Sequence, residues 1–96
     1  MLRVHFYRTR GEMVLAVCDD ELLGRTLSEG RMRLAVNEFY DGETVEEDLL
    51  PALLAQATNV NLVGDRCVQI AIDLGYVESD GVITIEGVPH AMVFYI

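Results

Sequence analysis

Ninety-six residues with sixteen acidic and seven basic side chains, a formal charge of −9, supply one domain with enough chain for a core and too little for two. Hydrophobic residues make up 51% of the chain, which excludes intrinsic disorder, and no apolar run approaches the ~20 residues that span a bilayer. Every basic residue is arginine, and so acidic a surface repels phosphate backbones, which argues against nonspecific nucleic-acid binding.

Leu2, Val4 and Phe6 alternate with Arg3, His5 and Tyr7, the pattern of a half-buried strand. This stretch lacks the apolar segment and cleavage site of a signal peptide, so a cytoplasmic domain is expected. Residues 9–12 carry a turn signal, and residues 13–18 are apolar on both faces. Together they predict a β-hairpin whose second strand lies inside the sheet. Asp19 is placed to cap a short helical turn through Leu23, with Gly24 as its stop. Residues 26–30 read as a connector. Residues 31–36, with Met32, Leu34 and Val36 on one side, read as a third strand or extended segment. Phe39, Tyr40, Asp41 and Gly42 form a loop with an exposed-looking aromatic pair.

Thr44, Val45, Glu46 and Glu47 have the form of a capping box, with acids suited to the first turn of a helix. The predicted helix carries Val45, Leu49, Ala52 and Leu53 on one face and is kinked or broken at Pro51. Residues 58–64 propagate a helix poorly, and Asn59 and Asn61 read as turn residues that satisfy backbone groups. Asp65 is expected to cap a second helix with Cys67, Ile70, Ala71 and Leu74 on its inner stripe and Gly75 as its stop. Residues 82–86 read as a strand, residues 87–90 as a turn and residues 91–96 as a final apolar strand. Strands at both ends with helices between them predict one α+β domain over residues 1–96. Its sheet is mostly antiparallel, with two or three helices packed on one face.

Several pieces recur together: Ala16, Val17, Cys18 and Asp19 with Glu21, Leu22, Leu23 and Gly24; Phe39 and Tyr40 with Gly42 and Glu43; Asn61, Leu62, Val63 and Gly64; and Gly87, Val88, Pro89, His90 and Ala91. In this combination the chain resembles a small archaeal family of uncharacterised proteins, a domain-of-unknown-function family of about this length. The resemblance covers nearly the whole chain. It implies a free-standing α+β domain from an archaeal cytoplasm and carries over no catalytic residue.

Cys18 beside Asp19, at the end of an apolar strand, is the first candidate for chemistry. A catalytic thiol needs a partner that lowers its pKa. The following helix start favours that, whereas Asp19, Asp20 and Glu21 oppose it. His90, next to the rigid Pro89, is the second candidate, as acid, base or ligand, or as a turn residue bonded to backbone. Cys67 reads as core. Pairing of the first and last strands would bring His5 toward His90, but without ligand spacing no metal site and no cofactor are expected. Asn61 and Gly64 lead into a helix N-terminus, a position that suits anions, although Asp65 competes for it. Phe39 and Tyr40 read either as a contact patch or as a pair of which one tucks into the core.

These features leave the function open between two classes. The leading reading is a small non-catalytic cytoplasmic domain that binds a protein or ribonucleoprotein partner through Phe39, Tyr40, Asn61, Gly64 and His90. The alternative is a small enzyme that uses Cys18, Asp19 and His90, with a cleft between the subunits of a homodimer. In a third reading the chain is a homo-oligomer, because an exposed strand over residues 91–96 would otherwise be an aggregation hazard. No membrane association is expected.

Overall fold

The structure is a computed structural model, and it describes residues 1–95. The domain is α+β, built on a six-stranded sheet with helices on one face and a small β-hairpin on the other. β1 (Leu2–Thr9) and β2 (Glu12–Asp19) form the expected hairpin, closed by a two-residue turn in which Arg10 and Gly11 both take positive φ. That backbone matches the right-handed twist of paired strands. β3 (Thr26–Glu29) and β4 (Met32–Ala35) pair as a separate two-stranded sheet, so residues 26–30 are a strand and a turn rather than a connector. β5 (Glu43–Val45) pairs with β1 at one edge of the main sheet.

The capping box at Thr44 does not form, because Thr44 lies in β5 and faces Arg3 across the ladder. A 3₁₀ turn (Glu47–Leu49) leads instead into the short α1 (Leu50–Leu54), and Pro51 lies in its first turn. There the missing N–H costs nothing, so the proline starts the helix and does not kink one.

β6 (Asn59–Val63) is the largest departure from expectation, since residues 58–64 read as a turn region. It sits in the middle of the sheet, parallel to β2 and antiparallel to β8 (Val88–Phe94), which pairs on its far side with β7 (Ile83–Ile85). Only Glu86 and Gly87 form the last turn, so Val88, Pro89 and His90 belong to β8. The expected final strand over residues 91–96 is observed as far as Phe94; Ile96 lies outside the described residues.

α2 (Asp65–Asp73) follows β6, and Gly75, at φ +84°, ends it as expected. Leu74, expected on the inner stripe, is instead exposed just past the last turn, and Val68 is buried beside Cys67 and Ala71. α1 and α2 cover one face of the sheet. Leu2, Val4, Leu15, Val17, Val60, Leu62, Ala91 and Val93 pack there against Leu50, Leu54, Cys67, Val68 and Ala71. On the opposite face Ala16, Cys18, Val63 and Ile85 are covered by Leu22, Leu27, Val36 and Tyr40. The direct row partners Cys18, Val63 and His90 share this second face.

The start of α2 is not capped by Asp65. The cap comes from Asp19, at the end of β2, which makes no side-chain cap for the turn that follows it. Its carboxylate accepts from the Arg66 N–H at 3.0 Å and the Cys67 N–H at 3.1 Å. Asp19 is the one buried charged side chain among the described residues, and the positive end of the helix dipole stabilises it. Gly64 makes the arrangement possible: its φ is +123°, and a Cβ there would fall inside the Asp19 carboxylate. Gly64→Ala is therefore expected to destabilise the domain by about 3 kcal/mol or more, from backbone strain and overlap together. Urea unfolding of the two proteins measures this, and a loss below ~1 kcal/mol contradicts the assigned role of Gly64.

Candidate functional site

The pleat of β1 places Arg3, His5 and Tyr7 on the hairpin-covered side of the sheet. The loop after β4 brings Phe39 over them. The His5 and Tyr7 rings stack at 4.1 Å with 12° between their planes, and Tyr7 and Phe39 stack at 5.1 Å and 10°. Phe39 then meets Tyr40 edge-on at 5.2 Å. Four rings thus form one ladder. Hydrogen bonds fix its rungs: the Tyr7 hydroxyl donates to the Phe39 carbonyl at 2.7 Å, and His5 Nδ1–H donates to the Asp41 carbonyl at 3.1 Å.

The two aromatics of the loop separate in role. Tyr40 is 2% exposed, and its hydroxyl donates to the Asn61 side-chain oxygen, whereas Phe39 is 37% exposed at the outer end of the ladder. Burial raises the Tyr40 phenol, and burial together with nearby Glu38 raises that of Tyr7, so both stay neutral donors at physiological pH. Asn61 does not serve a turn; it lies in β6 and anchors Tyr40. Acidic and basic groups surround the base of the ladder. Arg3 reaches Asp20 at 2.8 Å and Asp41 at 2.9 Å, tying the loop to the end of β2. Asp20 and Asp41 raise the Arg3 guanidinium further, so it stays charged.

The residues proposed for catalysis do not meet. Cys18 is fully buried, and burial pushes its thiol up to about 12, with Asp19 adding to the effect. Cys18 and His90 share a face, but Val63 stands between them in the same row. Two strand spacings place their backbones about 10 Å apart. His90 Nδ1–H donates to the Leu62 carbonyl at 2.9 Å, which fixes the ring against β6. Its other neighbours are Ile83, Met92 and Phe94, around a shallow hollow that excludes Cys18. Cys67 is buried on the helix face, and burial raises its thiol well above the usual value. Among the described residues, no three His, Cys, Asp or Glu side chains stand close enough to hold a metal ion. The N–H groups at the start of α2 are taken by Asp19, so an anion at Gly64 would have to displace that carboxylate.

Of the residues expected to bind, the fold therefore unites Phe39, Tyr40 and Asn61. It places His90 on the same face one strand further on and sends Gly64 to the start of α2. His5 and Tyr7 complete the ladder, and sequence reading did not assign them to it. Their spacing of two in β1 put them on one face, but the link to Phe39 is a tertiary contact across 32 residues.

The sequence model of the family described as "Protein of unknown function (DUF424)" matches residues 7–96. The chain belongs to this family. The crystal structure of an uncharacterized conserved protein from Methanopyrus kandleri is similar to this DUF424 domain, with a TM-score of 0.82 and 25% identity. The match covers 99% of this chain and 93% of that one. No curated protein matches the chain. No helix among the described residues is long and apolar enough to cross a membrane.

The state of the thiols is directly measurable. Both cysteines, Cys18 and Cys67, are free and buried. A disulfide-exchange reagent is expected to leave them unmodified in native protein at neutral pH and to modify both in denaturant. Because the folded-state value of Cys18 is raised from 9.0 to about 12, its contribution to stability is full below pH 9. That contribution is lost as pH rises from there toward about 12. Rapid native modification of Cys18 near pH 7 contradicts this placement.

Proposed function

We propose that this domain is a non-catalytic cytoplasmic binding module for a protein partner, alone or within a ribonucleoprotein assembly. The observation that carries the reading is the aromatic ladder. Tyr7 and Phe39 present stacked rings at the surface, and the Tyr7 hydroxyl is tied to the Phe39 backbone carbonyl, so little side-chain freedom is lost on binding. Rigid aromatics of this kind supply much of the energy of protein interfaces.

The charge around the ladder indicates which part of a partner it suits. Glu38, Asp41 and Glu43 flank the loop, and the whole chain carries −9. An arginine- or lysine-bearing segment would meet both the acids and the ring faces, through ion pairs and cation–π contact. A bare phosphate backbone would be repelled. A hollow of about 340 Å³ beside β1, lined by residues that include His5, Phe6, Leu49 and Leu53, gives an apolar side chain of the same partner a place next to the ladder.

The enzyme reading rests on Cys18 and His90, and the geometry gives it no support: the thiol is enclosed and the imidazole is bonded to a backbone carbonyl.

Affinity purification of the tagged domain from a native extract, with and without nuclease, tests the proposal. Stoichiometric partners that survive nuclease are expected with the wild-type protein. Their recovery should fall at least about tenfold with Phe39→Ala or Tyr7→Ala, as loss of one interface aromatic implies. Recovery of the same partners by both variants at wild-type levels, with folding unchanged by circular dichroism, overturns it.

A further inference from the structure

We propose that the outer edge of β8 pairs with the same edge of a second copy, so that two domains share one continuous sheet. The argument begins with the phase of the hydrogen bonds. In antiparallel pairing, successive residues of a strand direct their backbone groups alternately to one neighbour and the other. The Gly64 N–H donates to the Pro89 carbonyl at 2.9 Å, and the Tyr95 N–H donates to the Thr58 carbonyl at 2.9 Å. With the β6–β8 register, these bonds direct the backbone groups of Pro89, Ala91, Val93 and Tyr95 toward β6. Val88, His90, Met92 and Phe94 therefore direct theirs outward.

β7 takes up the first part of that edge and then ends. Ile85 faces Val88 and Ile83 faces His90, but nothing among the described residues pairs with the outward groups of Met92 and Phe94. These two residues are 55% and 67% exposed, and Ile83, at 49%, stands next to them. An uncovered strand edge with apolar side chains is a template for another strand.

Charge and symmetry select the occupant. The chain carries −9, yet Val88 through Tyr95 contains no charged residue, so the strand edge itself adds no like charge between two copies. The absence of acids on β8 also gives a basic segment nothing to recognise. The opposite edge differs: beyond its pairing with β5, β1 presents Arg8 and is followed in the turn by Arg10, charges that discourage strand addition. Association through β8 alone closes at two copies, since each uses the same surface. An antiparallel register with Met92 opposite the partner copy's Phe94 pairs every outward N–H and C=O of both residues. It also sets the exposed Met92 and Phe94 side chains of the two copies side by side on one face.

Sedimentation of the purified domain alone tests this without any partner, so its outcome is independent of the aromatic ladder at the other edge of the sheet. The wild-type protein is expected to be a dimer at micromolar concentration. The double variant Met92→Lys, Phe94→Lys should be a monomer, with association weakened at least about 100-fold and the fold intact, because both residues are already exposed. Phe94→Pro removes an outward N–H without touching the β6 ladder and should have the same effect. Slow exchange of the Met92 and Phe94 amides in the wild type, lost in the lysine variant, would support the register. A wild-type monomer at millimolar concentration overturns the proposal, as does a dimer that persists in both variants.

Discussion

The buried carboxylate of Asp19 is the contact on which the arrangement of this domain depends. It ends β2 and closes the first turn of α2, residues separated by 47 and 48 positions in the chain. β2 and β6 are parallel neighbours, and α2 leaves the end of β6 to pack back across the sheet. Without a partner, the first N–H groups of α2 would be buried and unsatisfied beside an apolar core. A carboxylate answers both needs at once, because the helix dipole and two N–H donors offset its own desolvation. Gly64 supplies the space, and Arg66 extends the junction outward. Arg66 bonds to the Glu21 carboxylate, lies 3.1 Å from Glu47 Oε2 and donates to the Met1 carbonyl at 3.2 Å. The N-terminus, the turn after β2, the turn before α1 and the start of α2 thus meet at one corner. The exposed ion pairs there add little individually.

This corner also explains what the neighbouring cysteine does. Cys18 precedes Asp19 and points to the opposite face, where the β3–β4 hairpin and Tyr40 enclose it. The helix N-terminus that could have lowered a thiol pKa is occupied by Asp19. The features that drew attention to this stretch therefore work as a structural joint. The two faces of the sheet then divide the remaining roles. The helix face is filled by two helices, whereas the hairpin covers only part of the other face. The surface left over carries the aromatic ladder at one side and Met92 and Phe94 at the other.

Much of the fold was legible wherever local pattern and tertiary role agreed. The β1–β2 hairpin, the burial of Cys67 and Ala71 on α2 and the glycine after the helix follow from alternation, helical spacing and a positive-φ stop. Leu74 shares their spacing but lies past the last turn, where it is exposed. β6 was not legible, because Asn59 and Asn61 alternate with apolar residues in a segment that also suits a turn. Asn61 is polar for a tertiary reason, as acceptor for Tyr40. Thr44 to Glu47 satisfies the local grammar of a helix start, but pairing with β1 captures its first half as a strand. Asp19 was recognisable as a helix cap, although sequence proximity assigned it to the wrong helix. The candidate site was legible in part. Phe39 and Tyr40 stood out, and structure was needed to show that one is buried and that His5 and Tyr7 join them.

The most direct test of this account is to replace Asp19 and follow both stability and the α2 amides. Asp19→Ala is expected to cost roughly 2–3 kcal/mol, more than the ~1 kcal/mol typical of an exposed cap. Hydrogen exchange at the Arg66 and Cys67 amides should accelerate at the same time, and Asp19→Asn, which keeps one acceptor oxygen, should fall between. A loss below about 0.5 kcal/mol with both amides still protected would contradict the central place given to this carboxylate.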